Sequence, residues 1–378
     1  MPTLDATARV LATTYQKWLE GYSDETEEDH PILASLKAKG NIDYSGSGVY
    51  YQESIKFKRL RLEGYADMDR LEWARKNLYK TQQHEWRGLQ LTDAISTKEM
   101  RQNKGMEARV KLFEDKLNQM KSDADDDLGA FLYLNGQAAG NEKKLEGFLT
   151  MMDYNLGGQL AADVFATAPN GTYGTLSTAL GNYGGTGTNA GAVRESNDPE
   201  WDFWTPIVVN ALNTTTGGGS PASWATHAEE LVGAAITHAI RGNNKSHHLD
   251  MFCLSRSNYV TLKDQVRTKE RIQIDPGPDR SLLVSLGFKG VMMVDGVDCI
   301  VDTDVPLTDN QGRPIRALGW NMSKTKMCLL PESGGGDSFW NDSGSFYDPD
   351  DKTFKWWLGL WGNLIFKPRY QVMISDIA

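Results

Sequence analysis

Cysteine is scarce in this chain of 378 residues: there are 3, at Cys253, Cys299 and Cys328. The number is odd and no two form a C-x-x-C pair. Each lies in an apolar, strand-like phrase such as "DMFCLSR" or "VDCIV", which reads as small buried thiols in a reducing compartment and excludes a disulfide scaffold. Positive charge is in deficit. Lys and Arg total 40 against 50 Asp and Glu, a net charge of -10, which argues against a protein that binds nucleic acid by neutralising phosphates. Long apolar runs are missing, so no stretch reaches transmembrane length. The first residues, "MPTLDATARVLATTYQKW", lack the apolar core and small-residue cleavage site of a signal peptide. The expectation is a protein made and kept in a cytoplasm.

Catalytic signatures are missing too. There is no G-x-x-x-x-G-K-[ST] loop, and Gly185, Gly187 and Gly191 form a glycine cluster without a preceding strand or dinucleotide spacing. "DADDDLG" starts like a calcium loop, but Leu128 stands where glycine is needed and Leu134 where the closing Glu belongs. His227 and His238 are eleven residues apart on one predicted helix, too far to share a metal, and His247 and His248 sit in a polar loop. No G-x-S-x-G elbow appears. One enzymatic alternative stays open: Trp201 and Trp204, beside Glu200 and Asp202, would line a glycan-binding cleft with paired carboxylates.

What the chain does have is a succession of distinct textures. Leu4, Ala8, Leu11, Tyr15, Trp18 and Tyr22 recur at four- and three-residue steps, the stripe of an amphipathic helix. The acidic run before Pro31 ends it. From Gly40 to Thr92 the sequence is charged, extended and thin in core residues. Apolar and basic residues alternate around Ile55–Phe57, and a second extended stretch, "KTQQHEWRGLQLTDAIS", follows. An isolated hairpin of this kind is marginal in water and needs something to lie on. The spacing of Met106, Val110, Phe113, Leu117 and Met120 then predicts a long helix from about Ser96 to Asp123, with the acidic cluster 123–127 as its exit and "LGAFLYLNG" as a continuation after a bend.

Residues from about 155 to 222 are rich in Gly, Thr, Asn and Ser around "PEWDFWTPIVVN", a length of loop that usually serves a contact. A compact α/β pattern follows. Ser223 and Ser255 are placed to cap helices, the first running through Arg241. The strand "HLDMFCLS" lies between them, and Asp295-Gly296 joins two apolar runs as a hairpin. "IRALGWNMSKTKMCLLP" supplies two more strands. The chain closes on "FKWWLGLWGNLIFKPRYQVMISDIA", a terminal strand with Pro368 at an edge or bend, in which Trp356, Trp357 and Trp361 divide between core and subunit boundary.

That order of textures, with the phrases "ISTKEMRQNKG", "KKLEGFLTMM", "GNYGG…WDFWTPIVVN", "LSRSNYVTLKDQV" and "LGFKGVMMVDGVDCIVDTDVP", resembles the major capsid proteins of tailed bacteriophages, which share the Hong Kong phage-type shell fold. The resemblance covers most of the chain from about residue 45. It implies an α+β fold divided into an N-terminal arm (1–40), an extended loop (41–92), a peripheral domain with a spine helix (93–155), a Gly-rich joining region (156–222), an axial domain (223–335) and terminal strands returning to the peripheral domain (336–378). It implies self-assembly into hexamers, pentamers and a closed icosahedral head around double-stranded DNA, with no enzymatic activity, cofactor, metal or membrane. The expected location is the virion, assembled in the host cytoplasm. Expected partners are other copies of the chain, a separate scaffolding protein because the shell-like pattern begins early, a portal and a decoration protein. Expected subunit contacts are Trp18, Lys56, Phe57, Lys58, Arg59, Arg61, Trp201 and Trp204. Some relatives cross-link Lys to Asn; Lys56 and Lys58 lie in the right kind of loop, but no residue pattern supports such a bond. The alternatives are a tail or decoration component and the glycan-active enzyme above.

Overall fold

The computed structural model describes residues 30–60, 62–67, 70, 73–102, 106–152, 171–184, 200–211, 223–240, 248–268, 281–331, 339–342 and 346–376. The predicted first helix, with Trp18, lies outside the described residues, as does Arg61.

In chain order, α1 (Pro31–Ala38) leads to β1 (Ile42–Asp43), β2 (Tyr50–Lys56), β3 (Tyr79–Glu85) and β4 (Arg87–Ser96). Helices α2 (Thr97–Gln102), α3 (Met106–Tyr133) and α4 (Phe148–Met151) follow, then the short strands β5 (Thr172–Tyr173) and β6 (Leu176–Ser177). Next come β7 (Ile207–Asn210), α5 (Trp224–Ala239), β8 (Met251–Leu254), α6 (Arg256–Thr268), α7 (Leu282–Ser285), β9 (Met292–Val294) and β10 (Val297–Val301). The chain ends with β11 (Ile315–Trp320), β12 (Thr325–Leu329), β13 (Asn341–Asp342), β14 (Phe346–Asp348), β15 (Thr353–Phe366) and β16 (Val372–Ser375).

Two six-stranded sheets organise these elements. The first is built on β15, whose 14 residues face β4 along one side and β14, β13 and β12 in series along the other. The second runs β7-β16-β11-β8-β10-β9, with α5 and α6 packed on it through Leu231, Val232, Ala235 and Leu262. Its β9–β10 hairpin turns at Asp295 and Gly296, which have φ of 46° and 82°. Both values are left-handed, as a two-residue hairpin turn requires.

The closing stretch does more than complete one strand. At Pro368 the missing amide and fixed φ stop the ladder, a short 3₁₀ turn (Pro368–Tyr370) reverses the path, and β16 then enters the second sheet between β7 and β11. One sequence segment thereby ties both sheets. Trp320, Phe366, Phe148 and Tyr133 fill the space between them, all buried and in ring contact.

The spine helix differs from expectation at its C-terminal end. Thr97–Gln102 and Met106–Tyr133 are both helical, and α3 continues through the acidic cluster to Tyr133. The cluster does not end the helix because its charges have partners. His30 Nε2 lies 3.4 Å from Asp126 and its Nδ1 2.9 Å from Asp304, Lys37 lies 3.7 Å from Asp125, and the Trp340 indole donates to Asp125 at 3.0 Å. The Asp304 carboxylate facing Nδ1 raises the His30 pKa, outweighing burial, which lowers it. Helix α5 begins directly after Ser223, whose carbonyl, not its side chain, receives the first amides, and it ends at Ala239, short of Arg241.

Candidate assembly surface

Strands β2 and β3 pair antiparallel from Tyr50↔Glu85 to Lys56↔Tyr79 and form a two-stranded ribbon outside both sheets. The alternation read around Ile55–Phe57 holds: successive β2 residues switch between exposed and half-buried. The ends of the 41–92 segment are different. Ile42–Asp43 and Arg87–Ser96 are strands of the first sheet, so the projecting part narrows to about Tyr50–Glu85.

A charged and aromatic root fixes the ribbon to its own subunit. Lys367, where β15 ends, donates to Glu53 at 2.5 Å, and Gln82 donates to the same carboxylate oxygen at 2.7 Å. Burial would push the Glu53 carboxyl up, but the Lys367 hydrogen bond and charge hold it below its usual value. On β3, His84 and Glu146 meet at 2.6 Å in a buried pair, with the Tyr173 ring 4.8 Å from the imidazole. Beyond β2, Phe57 is 8% exposed and packs between the rings of Tyr183 and Phe203, while the Lys80 ammonium sits 5.6 Å from its centroid. Lys58 donates to Glu200 at 3.0 Å.

These contacts revise the predicted contact set. Phe57 serves the root of its own ribbon. Trp204, at 2% exposure, is core: its indole donates to the Tyr173 carbonyl at 2.9 Å and its ring stacks on Tyr173. Both are too buried in their own subunit to reach a neighbour. Lys56 and Arg59 are exposed, and Trp201 is half-buried beside Gly181. The tryptophan-flanked carboxylates are not a catalytic pair either. Glu200 is engaged by Lys58, and Asp202, 1% exposed, accepts from Arg369 Nε at 2.5 Å. Each carboxylate is neutralised by its own cation, which removes the cleft reading. Among the described residues no group of three His, Cys, Asp or Glu could hold a metal ion, and no helix is long and apolar enough to cross a membrane.

The residues that stand out instead lie at the tip. Leu60, Leu62, Tyr65 and Trp73 are 62%, 104%, 74% and 90% exposed, with Tyr79 on the ribbon and Val49 just before it also bare. Single exposed apolar residues are ordinary, but a concentration on one projecting segment marks an interaction surface. The sequence held a signal for two of them, since Leu60 and Leu62 alternate with Arg59 and Glu63. Trp73, in "EWARKNLY", had none.

No family model and no curated protein matches the chain. Solved structures do match it along nearly its whole length. The cyanophage A-1(L) capsid subunit is 15% identical, with 95% of this chain and 96% of that one covered and a TM-score of 0.56. The capsid of the empty GTA particle is 9% identical, covering 94% and 100%, with a TM-score of 0.52. The capsid of the native GTA particle gives 9% identity, 97% and 99% coverage and a TM-score of 0.50. The chain thus has the α+β, Hong Kong phage-type shell fold of tailed-phage capsid proteins.

Proposed function

We propose that this chain is a major capsid protein, which assembles as hexamers and pentamers into an icosahedral head around double-stranded DNA. The observation that carries the reading is the projecting ribbon: its root is locked to the subunit by ion pairs, while its tip presents leucines and aromatics left exposed by the described residues. Such a segment is stabilised by lying on another subunit, where burying apolar area gains roughly 25 cal/mol per Å². Many such contacts, repeated by symmetry, close a shell without any one being strong.

In this reading residues 1–40 are the arm, the ribbon is the extended loop, the first sheet and α3 are the peripheral domain, and residues 223–335 with the second sheet are the axial domain. Lys56, Arg59, Arg61, Trp18 and Trp201 remain contact candidates. The net charge of -10 limits adhesion of the wall to packaged DNA. A separate scaffolding protein, a portal and a decoration protein complete the partners, and the particle forms in the host cytoplasm as part of the virion. The role is structural, not enzymatic.

The test is loop excision. The Phe57 amide donates to the Leu78 carbonyl, so residues 59–77 can be replaced by Asn-Gly without opening the ribbon root. The variant is expected to fold, with the parent's circular dichroism and melting, and to form no particles. Normal particles from it would refute the role given to the loop.

A further inference from the structure

Strand β4 carries an open edge. It pairs with β15 from Thr353↔Ser96 to Gly362↔Arg87, and one step beyond that ladder the Thr97 amide donates to the Lys352 carbonyl. Bonded and non-bonded pairs alternate in an antiparallel ladder. The odd-numbered residues of β4 therefore bond β15, and the even-numbered ones turn their amides and carbonyls away from it. Among the described residues no strand pairs with that side. Its far end is closed by its own side chains, because the Ala94 amide donates to Asp93 at 2.8 Å and the Ser96 amide to Glu99 at 3.3 Å. Gly88, Gln90 and Thr92 have no such cap among the described residues, and Gln90 and Thr92 are exposed.

The sheet face beside this edge is aromatic. Cross-strand partners share a face, so Trp357 and Trp361 stand with Thr92 and Gly88 on the side away from α3. Both indoles lie across glycines: a Cβ on Gly88 would come within 2.9 Å of the Trp361 ring, and one on Gly359 within 2.7 Å of Trp357. Trp361 is 51% exposed in the middle of a strand whose neighbours are buried.

An uncapped edge beside an aromatic floor is built for an added strand, with backbone bonds supplying affinity and alternate side chains meeting the floor. The chain itself carries the matching segment. Leu60 and Leu62 alternate with Arg59 and Glu63 at the period of a strand, both leucines are bare, and neither belongs to a strand of its own subunit. Resting on the shell-protein reading, we propose that the loop around Leu60 and Leu62 of one copy adds as a strand to Gly88–Thr92 of a neighbouring copy, setting a leucine on Trp361. The capped end at Ala94 and Ser96 limits the added strand to the open half of the edge.

The test pairs Gln90→Cys with Leu60→Cys or Leu62→Cys in the full-length chain. The native cysteines are buried, so mild oxidation of assembled particles reports only the new pair. One of the two double variants is expected to give interchain dimers, trimers and longer ladders on a non-reducing gel, and the single variants none. Gln90→Pro removes only an outward amide, so the β4–β15 ladder survives. It should leave the melting of the free subunit unchanged and cut particle yield roughly tenfold or more, because the contact repeats across the lattice. If that variant misfolds, Leu60→Asp with Leu62→Asp, both at exposed positions, should produce the same loss. Particles that give no interchain product, or only an intrachain one, overturn the proposal, as does normal yield from the proline or aspartate variants. A parent chain that forms no particles at all refutes the shell reading instead.

Discussion

Asp202→Ala is expected to be among the most damaging single changes outside the apolar core. Asp202 is 1% exposed and Arg369 5% exposed, and they bond at 2.5 Å between the turn before β7 and the turn joining β15 to β16. Removing the carboxylate leaves a buried guanidinium without its charge partner, a defect that costs about 3–5 kcal/mol. Against a total stability of about 5–15 kcal/mol, that is a large fraction. The cost arises from the stranded charge rather than from the pair's net worth. Replacing both partners, as in Asp202→Leu with Arg369→Met, should therefore cost less than Asp202→Ala alone. Urea unfolding of the unassembled subunit, followed by tryptophan fluorescence, measures both. A loss below about 1 kcal/mol for Asp202→Ala, or a double variant worse than the single, would show that the pair does not anchor this junction.

Three further outcomes follow from the same contacts. His30 faces Asp126, Asp302 and Asp304, and its pKa is raised. Its contribution should be complete below the unfolded value of about 6.5 and fade as pH rises through the elevated folded value; the melting-temperature gap between the parent and His30→Gln should therefore shrink with rising pH, and a gap that widened would refute the sign. Gly129→Ala places a methyl within 2.2 Å of the His30 ring, so the ring must shift and thermal melting should fall by the equivalent of about 1–3 kcal/mol. Phe57→Ala empties the site between Tyr183 and Phe203 and should cost about 2–4 kcal/mol, less than a fully enclosed phenylalanine because Phe57 stands at the ribbon root; hydrogen exchange should show β2 and β3 losing protection first.

Legibility in the sequence tracked how local each cause was. The Asp295-Gly296 hairpin, the helix starts after Ser223 and Ser255 and the alternation in β2 are written in adjacent residues, although the Ser223 side chain makes no cap. The acidic cluster 123–127 was misleading because its compensating groups, His30, Lys37 and Trp340, come from distant parts of the chain. The bend at Pro368 was legible, but its consequence was not: that the residues after it join a second sheet depends on the register of β7 and β11. Trp204 and Phe57 show the limit for contact sites. An aromatic residue in a loop-rich stretch reads the same whether it faces a neighbour or its own core, and only the rings of Tyr173, Tyr183 and Phe203 decide it.

Sedimentation velocity combined with negative-stain microscopy of the purified full-length chain, across salt and protein concentration, tests the central claim most directly. The account predicts rings of five or six subunits or closed shells, with assembly lost on excision of residues 59–77. A protein that sediments as a monomer under every condition, with its exposed leucines and Trp73 bare, would contradict it.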